Sequence, residues 1–362
     1  MNTWGDNIRI SIFGESHGPA IGAIIDGLPP GLYIDDEFIA KQMARRAPGR
    51  AKYSTARSET DIPRIMSGVK GGITTGAPLL CLIENADTRS QDYDVPLRPG
   101  HADWTGLLKY SGFAERAGGG HFSGRLTAPL VFAGALAQQL LSQKDIYVYG
   151  RIRQIGDLKD DIDLTGRYVT PGGEDEQLLD IIKEKPFPAD DDWEQAFKDR
   201  ILAAKTEGDS VGGVVEVIAV GGYEIEGIGE PFFGSVESKL SSLLFSVPAV
   251  KGVEFGKGFE LARMQGSAAN DPLRVADGRV ISATNNNGGV LGGIATGMPL
   301  IVRAAIKPTA SIAKEQDTVN PESMSEVRTA GRGRHDPCIV PRAVPVIEAC
   351  MSLAILDLLL AK

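Results

Sequence analysis

"GGITTGAPL" at residues 71–79 returns as "GGIATGMPL" at residues 292–300, identical at seven of nine positions, and an apolar, strand-like run opens after each. The pair suggests a duplication within the chain. A looser echo lies upstream of each copy. "GPAIGAIIDGLPPG" (18–31) and "GDSVGGVVEVIAVGG" (208–222) both follow glycines with alternating small and β-branched residues, the pattern of strands. An amphipathic helix comes after each. "DDEFIAKQMARRA" starts at Asp35 or Asp36 and stops before Pro48, and "SVESKLSSLLFSV" starts at Ser235 and stops before Pro248, because Asp and Ser cap helix N-termini and Pro cannot continue a helix. These segments define half-repeats of about 8–145 and 208–360 in a single domain spanning 1–362, with a charged insert of about 157–207 between them.

Other elements read more coarsely. "DNIRISIF" and "PLLCLIE" are strand-like, "SGRLTAPLVFAGALAQQLLSQ" and "VPVIEACMSLAILDLLLA" are largely buried helices, and "EDEQLLDIIKEK" and "DDWEQAFKDRILAAK" in the insert are exposed amphipathic ones. Three long segments, 85–122, 262–291 and 307–337, lack a clean period. Loops of that length in a compact domain are usually functional or disordered, and because these hold most of the unusual residues the functional reading is taken.

Composition narrows the function. With 362 residues, 42% of them hydrophobic, the chain can bury a sizeable core. The C-terminal apolar stretch is broken by Glu348 and Asp357, short of the roughly 20 apolar residues a membrane span needs. "MNTWGDNIRI" lacks the order of a secretory signal, so a cytoplasmic protein with no membrane partner is expected. Cys81, Cys338 and Cys350 have no C-x-x-C spacing and read as buried reduced thiols. A net charge of −9 argues against nucleic acid as a partner. Against that average, "KQMARRAPGRAKYSTARS" (41–58) holds six cations and no acid.

Each of the four histidines lies within two residues of a glycine: "GESHG" (His17), "RPGHAD" (His101), "GGGHFSG" (His121) and "GRGRHDP" (His335). Imidazole titrates near neutrality and suits proton transfer. No histidine pair has metal-ligand spacing and the neighbours are arginines, so no metal is expected. The arginines Arg98, Arg116, Arg125, Arg332 and Arg334 join the 41–58 run around these histidines. Were they to converge in a partly dry cleft, their repulsion would require a bound anion, gripped by guanidinium forks. Gly118, Gly119 and Gly120 let main chain approach such a ligand, a phosphate or a flat anionic ring, and Ser123 can cap the helix behind them; a plain glycine hinge is the alternative. Neither G-x-G-x-x-G nor G-x-x-x-x-G-K-[ST] is present.

Taken in order, "FGESHG", "DGLPPG", "RRAPG", "IENADTRSQDY", "RPGHAD", "AGGGHFSGR", "AVKGVEFG", "GGVLGGIATG", "KPTASI" and "GRHDPC" resemble the signatures of the chorismate synthase family, from about residue 5 to 355. The resemblance implies an α+β fold, a β-α-β sandwich with a helical layer between two antiparallel sheets and internal pseudo-two-fold symmetry, assembled as a homotetramer. It implies anti-1,4-elimination of phosphate from 5-enolpyruvylshikimate 3-phosphate to give chorismate, with reduced FMN required and no net oxidation. A separate flavin reductase would be a further partner if the protein does not reduce its own flavin with NADPH.

By position in those motifs, Arg45, Arg46, Arg98, Arg125 and Arg334 would bind the substrate's carboxylates and phosphate, with Arg46 and Lys52 also near a nicotinamide or flavin. His17 would donate a proton to the departing phosphate, His101 would set positive charge beside the flavin, and Asp336 with Ser16 and Ser123 would relay the ring proton. Flavin contacts would fall on His121, Phe122, Ser123, Pro248, Ala249, Gly292, Lys307, Pro308, Thr309, Ala310, Ser311 and Arg334. Many members carry arginine and serine where this chain has His121 and Phe122, and serine where it has Ala310, so the expectation there is limited to main-chain contacts. A flavin reductase using the same pocket for NADPH, and a polyanion-binding module built on residues 41–58, are the competing readings.

Overall fold

The computed structural model describes residues 2–49, 61–86, 96–165, 173–276, 278–331 and 336–362. Strands β1 (Thr3–Trp4), β2 (Arg9–Gly14) and β3 (Ala20–Asp26) precede helix α1 (Asp36–Arg46), followed by β4 (Arg64–Ile65), a hairpin of β5 (Val69–Lys70) and β6 (Ile73–Thr74), and β7 (Leu79–Glu84). A short helix α2 (Asp103–Lys109) and the long α3 (Thr127–Ser142) lead to β8 (Tyr147–Ile155) and β9 (Leu158–Lys159). Next come α4 (Glu174–Glu184), α5 (Asp191–Thr206), β10 (Gly213–Val220), α6 (Val236–Leu244) and β11 (Val250–Phe255). The last stretch holds α7 (Gly266–Ala269), hairpins β12–β13 (Leu273–Ala276, Arg279–Ser282) and β14–β15 (Val290–Leu291, Ile294–Ala295), then β16 (Leu300–Ile306), the hairpin β17–β18 (Glu315–Asn320, Ser325–Ala330) and α8 (Val340–Leu359).

Two five-stranded antiparallel sheets form, with orders β1-β2-β3-β7-β4 and β9-β8-β10-β16-β11. The orders correspond strand by strand: β2 to β8, β3 to β10, β7 to β16 and β4 to β11. Alternation along the strands turns Ile10, Ile21, Ala23, Ile25, Leu79, Cys81 and Ile83 of the first sheet, and Val215, Val217, Ala219, Leu300, Val302 and Ala304 of the second, into one continuous core. Helix α3 lies against β2, β3 and β7, helix α8 against β8 and β10, and the two helices pack on each other. Their approach is close at Gly134, where a Cβ would stand 2.2 Å from that of Ala349. Helices α1 and α6 flank this pair.

The helix caps follow the sequence. Asp35 accepts from the Phe38 amide and Ser235 from that of Ser238. The two acids interrupting α8 are satisfied rather than exposed: Glu348 takes both terminal nitrogens of Arg45, and Asp357 Oδ1 accepts the amides of Asp6, Asn7 and Ile8. No helix among the described residues is long and apolar enough to cross a membrane. All three cysteines are buried and free, and burial pushes the Cys81 and Cys338 thiols up to about 12.

One expectation needs correction, and one strand went unread. Helices α4 and α5 are half-buried, with Leu179, Ile182, Phe197 and Ile201 covered by β8 and its neighbours. In addition, β8, read past in the sequence, is a central strand whose Arg151 and Arg153 are almost fully buried. Glu216 of β10 stands between Arg151 of β8 and Arg303 of β16, and Arg303 faces Glu254 of β11. Glu216 accepts from Arg151 Nε at 2.8 Å and Arg303 Nε at 2.6 Å, while Arg151 and Arg153 share Asp160. Charges break the apolar period of this strand in the sequence, and neighbouring strands neutralise them in the fold.

Candidate active site

A cleft of about 920 Å³ opens between the C-terminal end of α1, the 98–125 segment, the turn after α6, the 307–311 segment and the start of α8. Arg46, Arg98, Arg116, Arg125 and Arg342, with Lys251 and Lys307, outnumber the lining acids Asp103, Glu115 and Asp336. The cations come from segments far apart in sequence, and Arg46, Arg98, Arg125, Arg342 and Lys307 are each held by a specific acceptor.

Arg46, in the last turn of α1, donates from Nε to Thr127 Oγ1, from NH1 to Asp61 Oδ2 at 2.7 Å and from NH2 to the Gly124 carbonyl. Arg125 donates to Asp61 Oδ1, to Asn85 Oδ1 at 2.9 Å and to the Glu84 carbonyl. Burial lowers the Arg46 guanidinium to about 10, with Asp61 opposing and Arg342 and Arg125 adding to the shift. For Asp61 burial favours the neutral acid, yet the charges of Arg46 and Arg125 outweigh it and hold the carboxyl below its ordinary value. Asn85 also ties this cluster to the 15–18 loop, donating to the Glu15 and Gly18 carbonyls.

Arg98 grips Asp103 through Nε at 2.8 Å and NH2 at 2.7 Å, and its amide donates to the same carboxylate. Next to it, His101 Nδ1 faces the Pro99 carbonyl at 3.1 Å and Nε2 lies 2.7 Å from Ser311 Oγ. A carbonyl only accepts, so Nδ1 carries the proton and Nε2 of the neutral ring takes the Ser311 hydroxyl. Burial, then the charge of Arg98, push His101 below its ordinary value, which favours the neutral ring. Lys307 Nζ holds the Gly100 carbonyl at 2.6 Å, closing the 307–311 segment onto this loop.

The triple glycine takes φ of +62°, +83° and +52°. At Gly118 a Cβ would stand 2.8 Å from both His17 Nε2 and Ser16 Oγ; only glycine lets this backbone lie on those side chains. Ser16 is 0% exposed and its Oγ has no partner among the described residues, as is true of Thr309 Oγ1 at the opposite wall. Ser123 accepts from the Arg125 amide and caps the short turn that enters α3. Ala249 sits at φ +75°, a strained conformation for alanine, and accepts from the Lys307 amide.

Of the residues expected at a site, Arg46, Arg98, His101, His121, Phe122, Ser123, Arg125, Pro248, Ala249, Asp336 and all five of 307–311 line this cleft. His17 and Ser16 lie behind Gly118 and do not line it. Arg45 turns away onto Glu348 and Gln42, and Gly292 is exposed on the β14–β15 turn, outside the cleft. Lys52, Arg334 and His335 lie outside the described residues. Sequence reasoning missed Asp61, Asp103, Asn85 and Arg342. Asp103 and Asn85 stand inside motifs already singled out, "RPGHAD" and "IENADTRSQDY", whereas Asp61 follows the basic run together with Glu59 and nothing marked Arg342.

Comparison with known proteins gives one answer. The family model described as chorismate synthase matches residues 8–360. The chorismate synthase of Archaeoglobus fulgidus is 45% identical over 366 residues, covering 100% of this chain and 98% of that protein, and the one from Thermococcus kodakarensis is 45% identical, covering 99% and 97%. A solved structure titled "Crystal Structure of Chorismate Synthase" superposes with a TM-score of 0.75 at 27% identity, covering 99% of this chain and 93% of the other.

Proposed function

The chain belongs to the chorismate synthase family of carbon–oxygen lyases (EC 4.2.3.5), and from that premise we propose that the cleft eliminates phosphate from 5-enolpyruvylshikimate 3-phosphate to yield chorismate, with reduced FMN bound and no net redox change. The observation that carries this reading is the convergence of Arg46, Arg98, Arg125 and Lys307 on one hollow in a protein of net charge −9. A substrate with two carboxylates and a phosphate relieves the repulsion among those cations, each charge-assisted bond contributing roughly 1.5–3 kcal/mol.

The cleft also fits a flavin mononucleotide. Thr309 supplies a buried hydroxyl without a partner, Lys307 a cation and Ser311 a second hydroxyl, a donor set suited to a phosphate. The main chain at His121, Phe122 and Ser123, with Pro248, Ala249, Pro308 and Ala310, would hold the ring, and Arg334 and Lys52 would join from segments not described. When bound, reduced FMN supplies electron density to the breaking allylic C–O bond and a basic nitrogen for the ring proton.

The protein's own groups do the rest. Arg46, Arg98 and Arg125 bind and orient the anions. The family resemblance assigns His17 as proton donor to the departing phosphate; here its ring stands against the Gly118 backbone, outside the cleft lining. Burial and the charge of Arg98 hold His101 below its ordinary value, and a nearby anion would favour its protonated form, the form that sets positive charge beside the flavin. Asp336, Ser16 and Ser123 carry the abstracted proton away.

Matching strand orders and a shared helical layer support a β-α-β sandwich that arose by duplication. Exposed Leu273, Val275 and Val280 on β12–β13, and a Gly292 outside its own cleft, support assembly as a homotetramer. The protein would work in the cytoplasm, in aromatic amino acid biosynthesis. An anaerobic assay with reduced FMN and substrate tests the reading: chorismate absorbance and stoichiometric phosphate are expected, and the absence of both overturns it. NADPH oxidation with FMN and no substrate tells whether the protein reduces its own flavin or depends on an external reductase.

A further inference from the structure

Asp61 has no place in the chemistry above, yet it is the best-buried acid at the cleft. It is 1% exposed and lies between Arg46, 3% exposed, and Arg125, 4% exposed. Each of its oxygens takes a different guanidinium, Oδ2 that of Arg46 and Oδ1 that of Arg125. Arg46 ends α1 and Arg125 lies in the turn into α3, so among the described residues this carboxylate is the acceptor the two guanidinium groups have in common. Its backbone is at φ +49°, the left-handed region that side chains other than glycine, asparagine and aspartate rarely enter. A left-handed backbone, near-complete burial and a two-way bridge form an arrangement that a mere surface counter-charge would not need.

We propose that Asp61 is a positioning residue for the substrate's anionic groups, setting the angle and spacing at which the Arg46 and Arg125 forks face the cleft. Arg46 also bonds Thr127 and Gly124, on the turn that carries Arg125, and Arg125 also bonds Asn85 and Glu84; these anchors tie each fork to main chain or to a neighbouring side chain, and among the described residues the two forks share an acceptor at Asp61 alone. Losing Asp61 frees that relative angle and leaves two close cations uncompensated, which weakens ground-state and transition-state binding alike. The signature is a raised KM with kcat nearly unchanged.

This inference rests on the substrate reading above, and its test separates the two. Asp61→Asn keeps volume and tolerates the left-handed backbone but removes the charge; Asp61→Glu keeps the charge and displaces it by one methylene. In the anaerobic assay, Asp61→Asn is expected to raise KM for 5-enolpyruvylshikimate 3-phosphate at least tenfold with kcat within threefold, and Asp61→Glu to raise KM by a smaller factor. A KM within twofold of wild type in both variants, or a tenfold fall in kcat at unchanged KM, overturns the proposal. Should Asp61→Asn fail to fold by circular dichroism, Asp61→Glu decides alone on the same KM criterion. If wild-type protein forms no chorismate, the substrate reading fails by itself. The positioning role is then judged by the dissociation constant of inorganic phosphate, expected to weaken at least tenfold in the folded variant and overturned if it does not change.

Discussion

Two clusters of buried arginines in this molecule have opposite purposes. On the second sheet, Arg151, Arg153 and Arg303 are matched by Asp160, Glu216 and Glu254 across adjacent strands. In the cleft, Asp61, Asp103 and Asp336 are shared among Arg46, Arg125, Arg98, Arg116 and Arg342, with Lys307 nearby. The ladder is balanced and closed; the cleft is pre-organised but short of negative charge. Buried ion pairs add little net stability when complete and cost much when broken, so a balanced network ties strands together while an unbalanced one waits for a ligand.

The comparison can be broken at four points, in decreasing order of effect. Arg125→Ala should lower kcat/KM about a thousandfold, roughly 4 kcal/mol of transition-state binding at 1.4 kcal/mol per decade, with the fold retained; a loss under tenfold would place Arg125 with the structural arginines. Glu216→Gln should reverse that pattern. It leaves Arg151 and Arg303 without their shared charge and should cost about 3 kcal/mol of folding stability in denaturant titration, while kcat at a temperature where the variant is folded stays at the wild-type value. His101→Ala should slow turnover about a hundredfold with a native circular dichroism spectrum, the scale of losing one electrostatic stabiliser at a reacting centre.

The smallest effect is in pH. His101 is held below its ordinary value, so just below pH 6.5 the unfolded chain binds a proton there that the folded chain does not. Stability therefore rises with pH up to about 6.5, the unfolded value, and is lost as pH falls through the folded one. A shallow slope of melting temperature just below pH 6.5 should vanish in His101→Gln, and a bound anion should flatten it in the wild type. An unchanged slope in the variant would assign it to another group.

The strands at 20–26, 79–84, 213–220 and 300–306, the four helices of the central layer and the capping residues Asp35 and Ser235 could all be read from the chain. Strand β8 could not, because the buried charges that its neighbours neutralise look in sequence like exposure. The hairpins β12–β13 and β17–β18 escaped for a related reason: they pair within segments that bury neither face, so no apolar period marks them. At the site the cations were legible, and Arg45 was counted with them; neither the chain nor its charge pattern indicated that Glu348, more than 300 positions away, takes Arg45 while Arg46, its neighbour on the helix, faces the cleft.

What the sequence determined by itself is whatever physics decides within a few residues: periodicity of burial, the start and end of helices, the glycines whose backbone needs φ > 0, and an excess of arginine beside histidine. Which arginines belong to the ligand and which to the core was decided by tertiary structure alone. A guanidinium is directed by the acid it meets, and Asp61, Asp103, Glu216 and Glu348 meet theirs only once helices and sheets from both halves have packed.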